Sequence, residues 1–201
     1  MEFVYVVKRY DLFDLSFPHG FRRPWEIPLD DYLERIRDRG FFVERRHAET
    51  DSSLKQVIPY CVLMRDGEVF LMKRKPKGGE SRLFNLHSIG VGGHINPIDG
   101  EADPLQAGLE RELDEEVEVA GEWDATPLGV INDESQDVGS VNFGLVYAIR
   151  LEGEVTVRET DQLEGRWVPA EELAVMIAED RDAFESWSAL ILDRVEEIIG
   201  D

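Results

Sequence analysis

The stretch Asp103-Pro104-Leu105-Gln106-Ala107-Gly108-Leu109-Glu110-Arg111-Glu112-Leu113-Asp114-Glu115-Glu116-Val117 constrains the fold more than any other part of this 201-residue chain. Asp103 is a good helix N-cap, and Pro104 suits the first helical position, where its missing N–H is not needed. Leu105, Leu109 and Leu113, continued by Val117 or its neighbour Val119, recur at one-turn spacing, so one face of this helix must be buried against another layer. Strand-like segments lie on both sides of it. Before the helix, two apolar runs at 57–64 and 69–72 flank Asp66-Gly67, a strong hairpin signal. After it come strand candidates at 127–132, 141–151, 154–158 and 166–168. Strands surrounding one central helix predict an α/β sandwich around a mixed sheet.

The first fifty-five residues read as an extension, and residues 56–201 as the main domain with helices at its end. Within the extension a strand is predicted near residues 2–8, then a turn-rich stretch around Pro18-His19-Gly20, then a helix that packs on the main sheet. Asp30 or Asp31 falls in the first turn of that helix, Leu29, Leu33 and Ile36 keep helical spacing, and Gly40 can stop it. A basic loop at 73–82 leads to Leu86-His87-Ser88-Ile89 and the glycine cluster Gly90-Val91-Gly92-Gly93. Closing helices are predicted near 169–179 and 183–199. No internal repeat, low-complexity tract or domain linker is evident.

Composition narrows the function. With 42% hydrophobic and 32% charged residues the chain has a water-soluble, globular composition, and no apolar run approaches the ~20 residues needed to cross a bilayer. The opening segment lacks the basic region and cleavage site of a secretory signal, and the single cysteine, Cys61, excludes an internal disulfide. A reducing cytoplasm is the expected compartment. The 43 acidic and 22 basic residues give a formal charge of −21, which repels nucleic acid polymers and anionic lipid. A small phosphorylated substrate would also be repelled unless a divalent cation and local basic groups reversed the sign near the site.

Glu112, Glu115 and Glu116 stand at i, i+3 and i+4, so three carboxylates project from one side of the helix. Hard cations such as Mg²⁺ take oxygen ligands and bind phosphate oxygens at their remaining positions, which makes this face a landing site for a metal–phosphate complex. The competing reading is a solvated acidic face. Arg111 can pair with Glu115 at i+4, or orient a neighbouring carboxylate through its planar fork. The glycine cluster shortly before the helix favours the metal reading, because a glycine backbone can approach phosphate where a side chain would clash.

Here the sequence resembles the Nudix hydrolase family, whose signature ends in Arg-Glu-apolar-any-Glu-Glu-any-Gly-apolar. Arg111-Glu112-Leu113-Asp114-Glu115-Glu116-Val117 matches that half without a gap, with Glu118 where the family usually has glycine. In the first half, strict spacing falls on Asp103 and Pro97. Aligning Gly93 and Glu101 instead lengthens the two gaps to seven and nine residues. The likeness spans roughly residues 56–175 and implies the family's α/β/α sandwich. It further implies hydrolysis of a phosphoanhydride bond in a nucleoside diphosphate-linked or related substrate, with Mg²⁺ (or Mn²⁺ as a substitute) held by Glu112, Glu115 and Glu116. In the family the general base comes either from the signature helix or from a later loop, where Glu134 is the candidate.

Arg74 and Arg82, within the basic segment that also holds Lys73, Lys75 and Lys77, are candidate substrate-phosphate contacts, together with Gly92 and Gly93. His87 and His94 flank the glycine turn and could touch substrate or be satisfied by backbone; Phe84 and Phe143 could stack on a base or pack in the core. Two other functions fit the same fold: a regulatory module without catalysis, and an isomerase of a prenyl diphosphate. The intact Arg-Glu-Leu-any-Glu-Glu run speaks against the first, and the scarcity of cysteine against the second. A homodimer formed through the extension is a further expectation.

Overall fold

The computed structural model describes residues 1–14, 17–75, 85–99, 103–135, 137–158, 160–161 and 163–199. Its strands are β1 (Phe3–Lys8), β2 (Gly20–Arg22), β3 (Phe41–Glu44), β4 (Leu54–Arg65), β5 (Glu68–Arg74), β6 (His87–Ser88), β7 (Gly90–Gly92), β8 (Val117–Val119), β9 (Trp123–Asn132), β10 (Asn142–Leu151), β11 (Val155–Val157) and β12 (Leu163–Pro169). Its helices are α1 (Arg9–Leu12), α2 (Leu29–Arg39), α3 (Arg45–Ala48), α4 (Pro104–Glu116), α5 (Asp137–Val141), α6 (Ala170–Glu179), α7 (Ser186–Leu192) and α8 (Val195–Ile199). A large sheet, a separate two-stranded sheet of β8 and β11, and these helices make a mixed α/β protein, as the sequence pattern predicts. No described helix is long and apolar enough to cross a membrane. The chain forms two compact units, one of residues 1–60, 92–112 and 127–147, the other of residues 61–91, 113–126 and 148–201.

In the first unit β1 is antiparallel to β3 on one side, with Val6 opposite Phe41, and to β4 on the other, with Val6 opposite Gln56. β2 is antiparallel to β9, with Gly20 opposite Asn132. Both faces of β1 are buried, which is why its sequence is an unbroken apolar run instead of an alternating one. Tyr5 and Val7 join Leu12, Phe13, Ile36, Val57, Ile95, Leu105 and Phe143 in one cluster, while Val4 and Val6 join Ala48 and Leu54 in another. α2 buries Leu29 and Ile36, the spacing read from the sequence. Gly40 ends it for a reason that spacing does not reveal. Its φ of −71° is open to any residue, but a Cβ there would overlap the Tyr5 ring, whose hydroxyl donates to the Ile36 carbonyl at 3.0 Å. The short β3, α1 and α3 were not expected.

In the second unit β12 is antiparallel to β5 from Leu163 opposite Arg74 to Pro169 opposite Glu68, and β6 lies on β5 with Met72 opposite Ser88. Asp66 (φ 45°) and Gly67 (φ 78°) form the turn between β4 and β5, both in the left-handed region that a two-residue hairpin turn requires. Two expectations are corrected. Val117 and Val119 do not continue the helical stripe: they alternate with Glu118 at strand period and pair with Val157 and Val155 in the β8–β11 ladder. The segment 183–199 is not one helix. The backbone N–H of Glu185 donates to the His87 carbonyl (2.9 Å), which holds Phe184 and Glu185 extended so that α7 starts only at Ser186, and α8 follows separately from Val195.

Phe143 is fully buried at the centre of the first unit's core, its ring centroid 5.6 Å from that of Phe13 and 5.9 Å from that of Tyr32. Phe143→Ala should therefore lower stability by about 3–5 kcal/mol, measured by urea unfolding. A loss below about 1 kcal/mol would mean that α1 and α2 do not seat on β10 as described.

Candidate functional site

α4 starts as its residues dictate. The Asp103 carboxylate accepts from the backbone N–H of Leu105 (3.2 Å) and of Gln106 (3.3 Å), closing two of the donors a helix N-terminus leaves open. Leu105 and Leu109 point into the core. Gly108 lets the helix lie against the segment 94–96: a Cβ at that position would stand 2.7 Å from Ile95 Cγ1.

This placement brings Glu112 to the glycine turn. Its carboxylate fills the space that a Gly93 side chain would take, since a Cβ on Gly93 would lie 2.6 Å from Glu112 Cδ. Gly92 is needed for a similar reason, as its Cβ would run into the Pro59 carbonyl oxygen. Glu112 is only 9% exposed. A carboxylate that dry needs a charged partner, and Arg111 supplies it, with Nη1 donating to Glu112 Oε1 at 2.8 Å. Nη2 of Arg111 donates to the His94 carbonyl (2.7 Å) and to Asn96 Oδ1 (3.2 Å). Glu115 and Glu116 follow along α4, the first exposed and the second half-buried. Among the described residues no three His, Cys, Asp or Glu side chains are drawn together at metal-ligand spacing.

Glu134 follows β9 and is held on both oxygens. Arg9 Nη2 donates to Oε2 at 2.6 Å, and the Lys55 ammonium lies 3.2 Å from Oε1. Asn132 Nδ2 reaches Oε1 at 3.3 Å and the Pro18 carbonyl at 2.8 Å. Lys55 is fully buried and also donates to the carbonyls of Gly139 (3.3 Å) and Asn142 (3.5 Å). Burial lowers the Lys55 pKa, while the charges of Glu134 and Asp133 raise it part of the way back. For Glu134, burial by itself would raise the pKa, but the Arg9 hydrogen bond and the Lys55 charge outweigh it and bring the value from 4.5 down to about 2. Neither Arg9 nor Lys55 was singled out from the sequence. The one available signal was a lysine just ahead of the apolar run of β4.

Arg74 lies in the second unit, where its Nε donates to Glu185 Oε1 at 3.0 Å. Arg82, Lys77, Phe84 and Glu101 lie outside the described residues. Burial, reinforced by the positive charge of Arg45, pushes His94 down to about 4, so it is neutral at pH 7. His87 sits against the Phe184 ring (5.4 Å between centroids), and burial lowers its pKa too. Phe143 is core. A groove of about 940 Å³ lies in the second unit beside Trp123, Arg150 and the Asp66-Gly67 turn, and no signature residue lines it.

The NUDIX domain model matches residues 55–190. The protein YmaB of Bacillus subtilis (strain 168) is 40% identical over 161 residues, which is 77% of this chain and 77% of that one. The crystal structure of Tm1382, a protein assigned to the Nudix hydrolases, superposes with a TM-score of 0.80 at 35% identity, covering 98% of this chain and all of that one. The NUDIX domain of Shewanella oneidensis NrtR, solved with ADP ribose, shares the fold at 16% identity, with a TM-score of 0.54 and coverage of 72% and 88%. The chain belongs to the Nudix family. It is an enzyme of that class, a pyrophosphohydrolase acting on acid anhydrides.

Two outcomes follow from this geometry. Gly93→Ala should force the Glu112 carboxylate aside and reduce kcat by about 100-fold, with an unchanged circular dichroism spectrum; full activity would refute the close approach. Glu134, whose pKa is depressed on folding, contributes stability that is complete above 4.5 and is lost as pH falls toward about 2. The stability gap between the parent and Glu134→Gln, read from urea unfolding, should therefore narrow steadily below 4.5. A gap independent of pH would contradict the double ion pair.

Proposed function

We propose that the protein hydrolyses a phosphoanhydride bond in a nucleoside diphosphate-linked or related small substrate, with Mg²⁺ held by Glu112, Glu115 and Glu116. The observation that carries this reading is the Glu112 carboxylate, kept nearly dry against Gly93 and oriented by Arg111. The donor set fits a hard divalent cation: carboxylate oxygens on two consecutive turns of one helix, one of them already fixed in direction. When bound, the cation supplies charge neutralisation on the phosphate oxygens.

The chain's own groups do the rest. Arg111 pairs with Glu112 and aims it. Gly92 and Gly93, which bring the turn close to that carboxylate, are assigned to substrate contact, and Arg74 with Arg82 to substrate phosphates. The general base is assigned to the signature helix, to Glu116 or Glu112. Glu134 was the loop candidate, but a carboxylate with a pKa of about 2 and both oxygens engaged is a weak proton acceptor. In this reading it anchors the polypeptide that follows β9. The formal charge of −21 fits a small substrate delivered with its cation and no nucleic acid polymer.

The test is a screen of nucleoside triphosphates, ADP-ribose, dinucleoside polyphosphates and prenyl diphosphates with Mg²⁺, run beside Glu116→Gln. One substrate class should turn over, chelation should stop it, and Glu116→Gln should lower kcat by about 100-fold or more with KM changed little. Equal turnover by parent and variant would remove Glu116 from the site.

A further inference from the structure

Segment 94–96 is gripped from two sides within the first unit. On one side lies α4, where Gly108 allows contact with Ile95. On the other lies β1: Tyr5 N–H donates to the Ile95 carbonyl at 2.9 Å, and Asn96 Nδ2 donates to the Phe3 carbonyl at 2.8 Å. That second bond settles which end of the Asn96 amide faces which way. The nitrogen can only donate, so it must face the Phe3 carbonyl, and the oxygen is left to accept from Arg111 Nη2 at 3.2 Å. The same Arg111 nitrogen donates to the His94 carbonyl, and the other terminal nitrogen holds Glu112. A continuous chain of hydrogen bonds thus runs from the backbone of β1 through Asn96 and Arg111 to the Glu112 carboxylate.

We propose that Asn96 is a positioning residue for Glu112, acting through Arg111, and that β1 at the start of the chain is thereby part of the support of the catalytic helix. The physical reason is the geometry of guanidinium. Its five N–H donors lie in one plane, so fixing where one terminal nitrogen points fixes the other. The His94 carbonyl and the Asn96 oxygen both accept from one terminal nitrogen, so together they restrain the guanidinium plane whose other terminal nitrogen holds the Glu112 oxygen. Asn96 falls in the gap between Gly93 and Glu101, where the signature specifies no residue, and Phe3 lies outside the span of the family match, so neither is marked by the family pattern.

This inference rests on Glu112 being a metal ligand, and the experiment separates the two ideas. Mn²⁺ binding is measured by calorimetry on the full chain for the parent, Asn96→Ala, Asn96→Asp and Glu112→Gln, beside kcat, KM and melting temperature. Asn96→Ala should weaken Mn²⁺ binding and lower kcat, each by about tenfold or more, while KM stays within about threefold and the melting temperature within a few degrees. Asn96→Asp keeps an acceptor for Arg111 but cannot donate to the Phe3 carbonyl, so it should recover only part of both losses, a partial rescue that a purely structural role would not produce. If Asn96→Ala does not fold, Asn96→Ser, too short to reach Arg111, replaces it with the same expectation. Parent-like Mn²⁺ affinity and kcat in the Asn96 variants, beside a weakened Glu112→Gln, would overturn the positioning role alone. Unchanged Mn²⁺ binding by Glu112→Gln would overturn the ligand assignment and this inference with it.

Discussion

Removing a carboxylate from water costs several kcal/mol unless a positive charge and good hydrogen bonds replace the lost hydration. Glu112 is nearly dry, and the groups packed around it meet that cost. Arg111 provides the charge, but a guanidinium on a long flexible side chain is useful only if its own orientation is fixed. The His94 carbonyl and the Asn96 amide fix it. Those two groups stay in place because Ile95 between them is buried and its carbonyl is hydrogen-bonded to β1. Gly93 and Gly108 lack side chains where the helix and the turn must approach closely. Each step needs the one before it, so the direction of one carboxylate depends on packing that begins at the third residue of the chain.

Lys55 presents the same problem with the opposite sign. A fully buried ammonium must find acceptors on every side, and it finds Glu134 and two backbone carbonyls. Arg9 adds a second cation on the other oxygen of Glu134. A chain with a formal charge of −21 therefore keeps several of its cations inside, paired, while most of its negative charge is spread over the surface. Since the far field repels phosphates, approach of an anionic substrate depends on close-range cations and on a metal that travels with it. The paired interior cations do not relieve that repulsion, because each is already neutralised locally.

What could be read in the sequence was whatever local chemistry decides. The start of α4 was legible because Asp103 and Pro104 act on neighbouring backbone, and the Asp66-Gly67 turn because few residue pairs accept two positive φ angles. Val117 was read on the wrong element: its burial was right, but β8 exists only because β11, some forty residues further on, offers Val157 and Val155 as partners. The break before α7 is invisible locally for the same reason, since it is set by the carbonyl of His87. Glu134 was legible as a loop acid near a strand end. Its two cations come from 125 and 79 residues away in sequence, so nothing local could separate an anchored carboxylate from a proton acceptor. Asn96 carried no signal at all.

The family match begins at Lys55, yet the physical cohesion of the first unit does not. One apolar cluster takes Tyr5, Val7, Leu12, Phe13 and Ile36 from before that point and Val57, Ile95, Leu105 and Phe143 from after it. A chain beginning at residue 55 would expose half of that cluster to water and leave one edge of β4 without β1. It would also take Arg9 from Glu134 and the Phe3 carbonyl from Asn96. Tm1382 superposes over 98% of this chain, so its structure includes a counterpart of these opening residues. The signature helix supplies the chemistry, but its first carboxylate is aimed by a strand that the family pattern does not include, so a boundary drawn by sequence likeness cuts through the hydrogen bonds that orient the site.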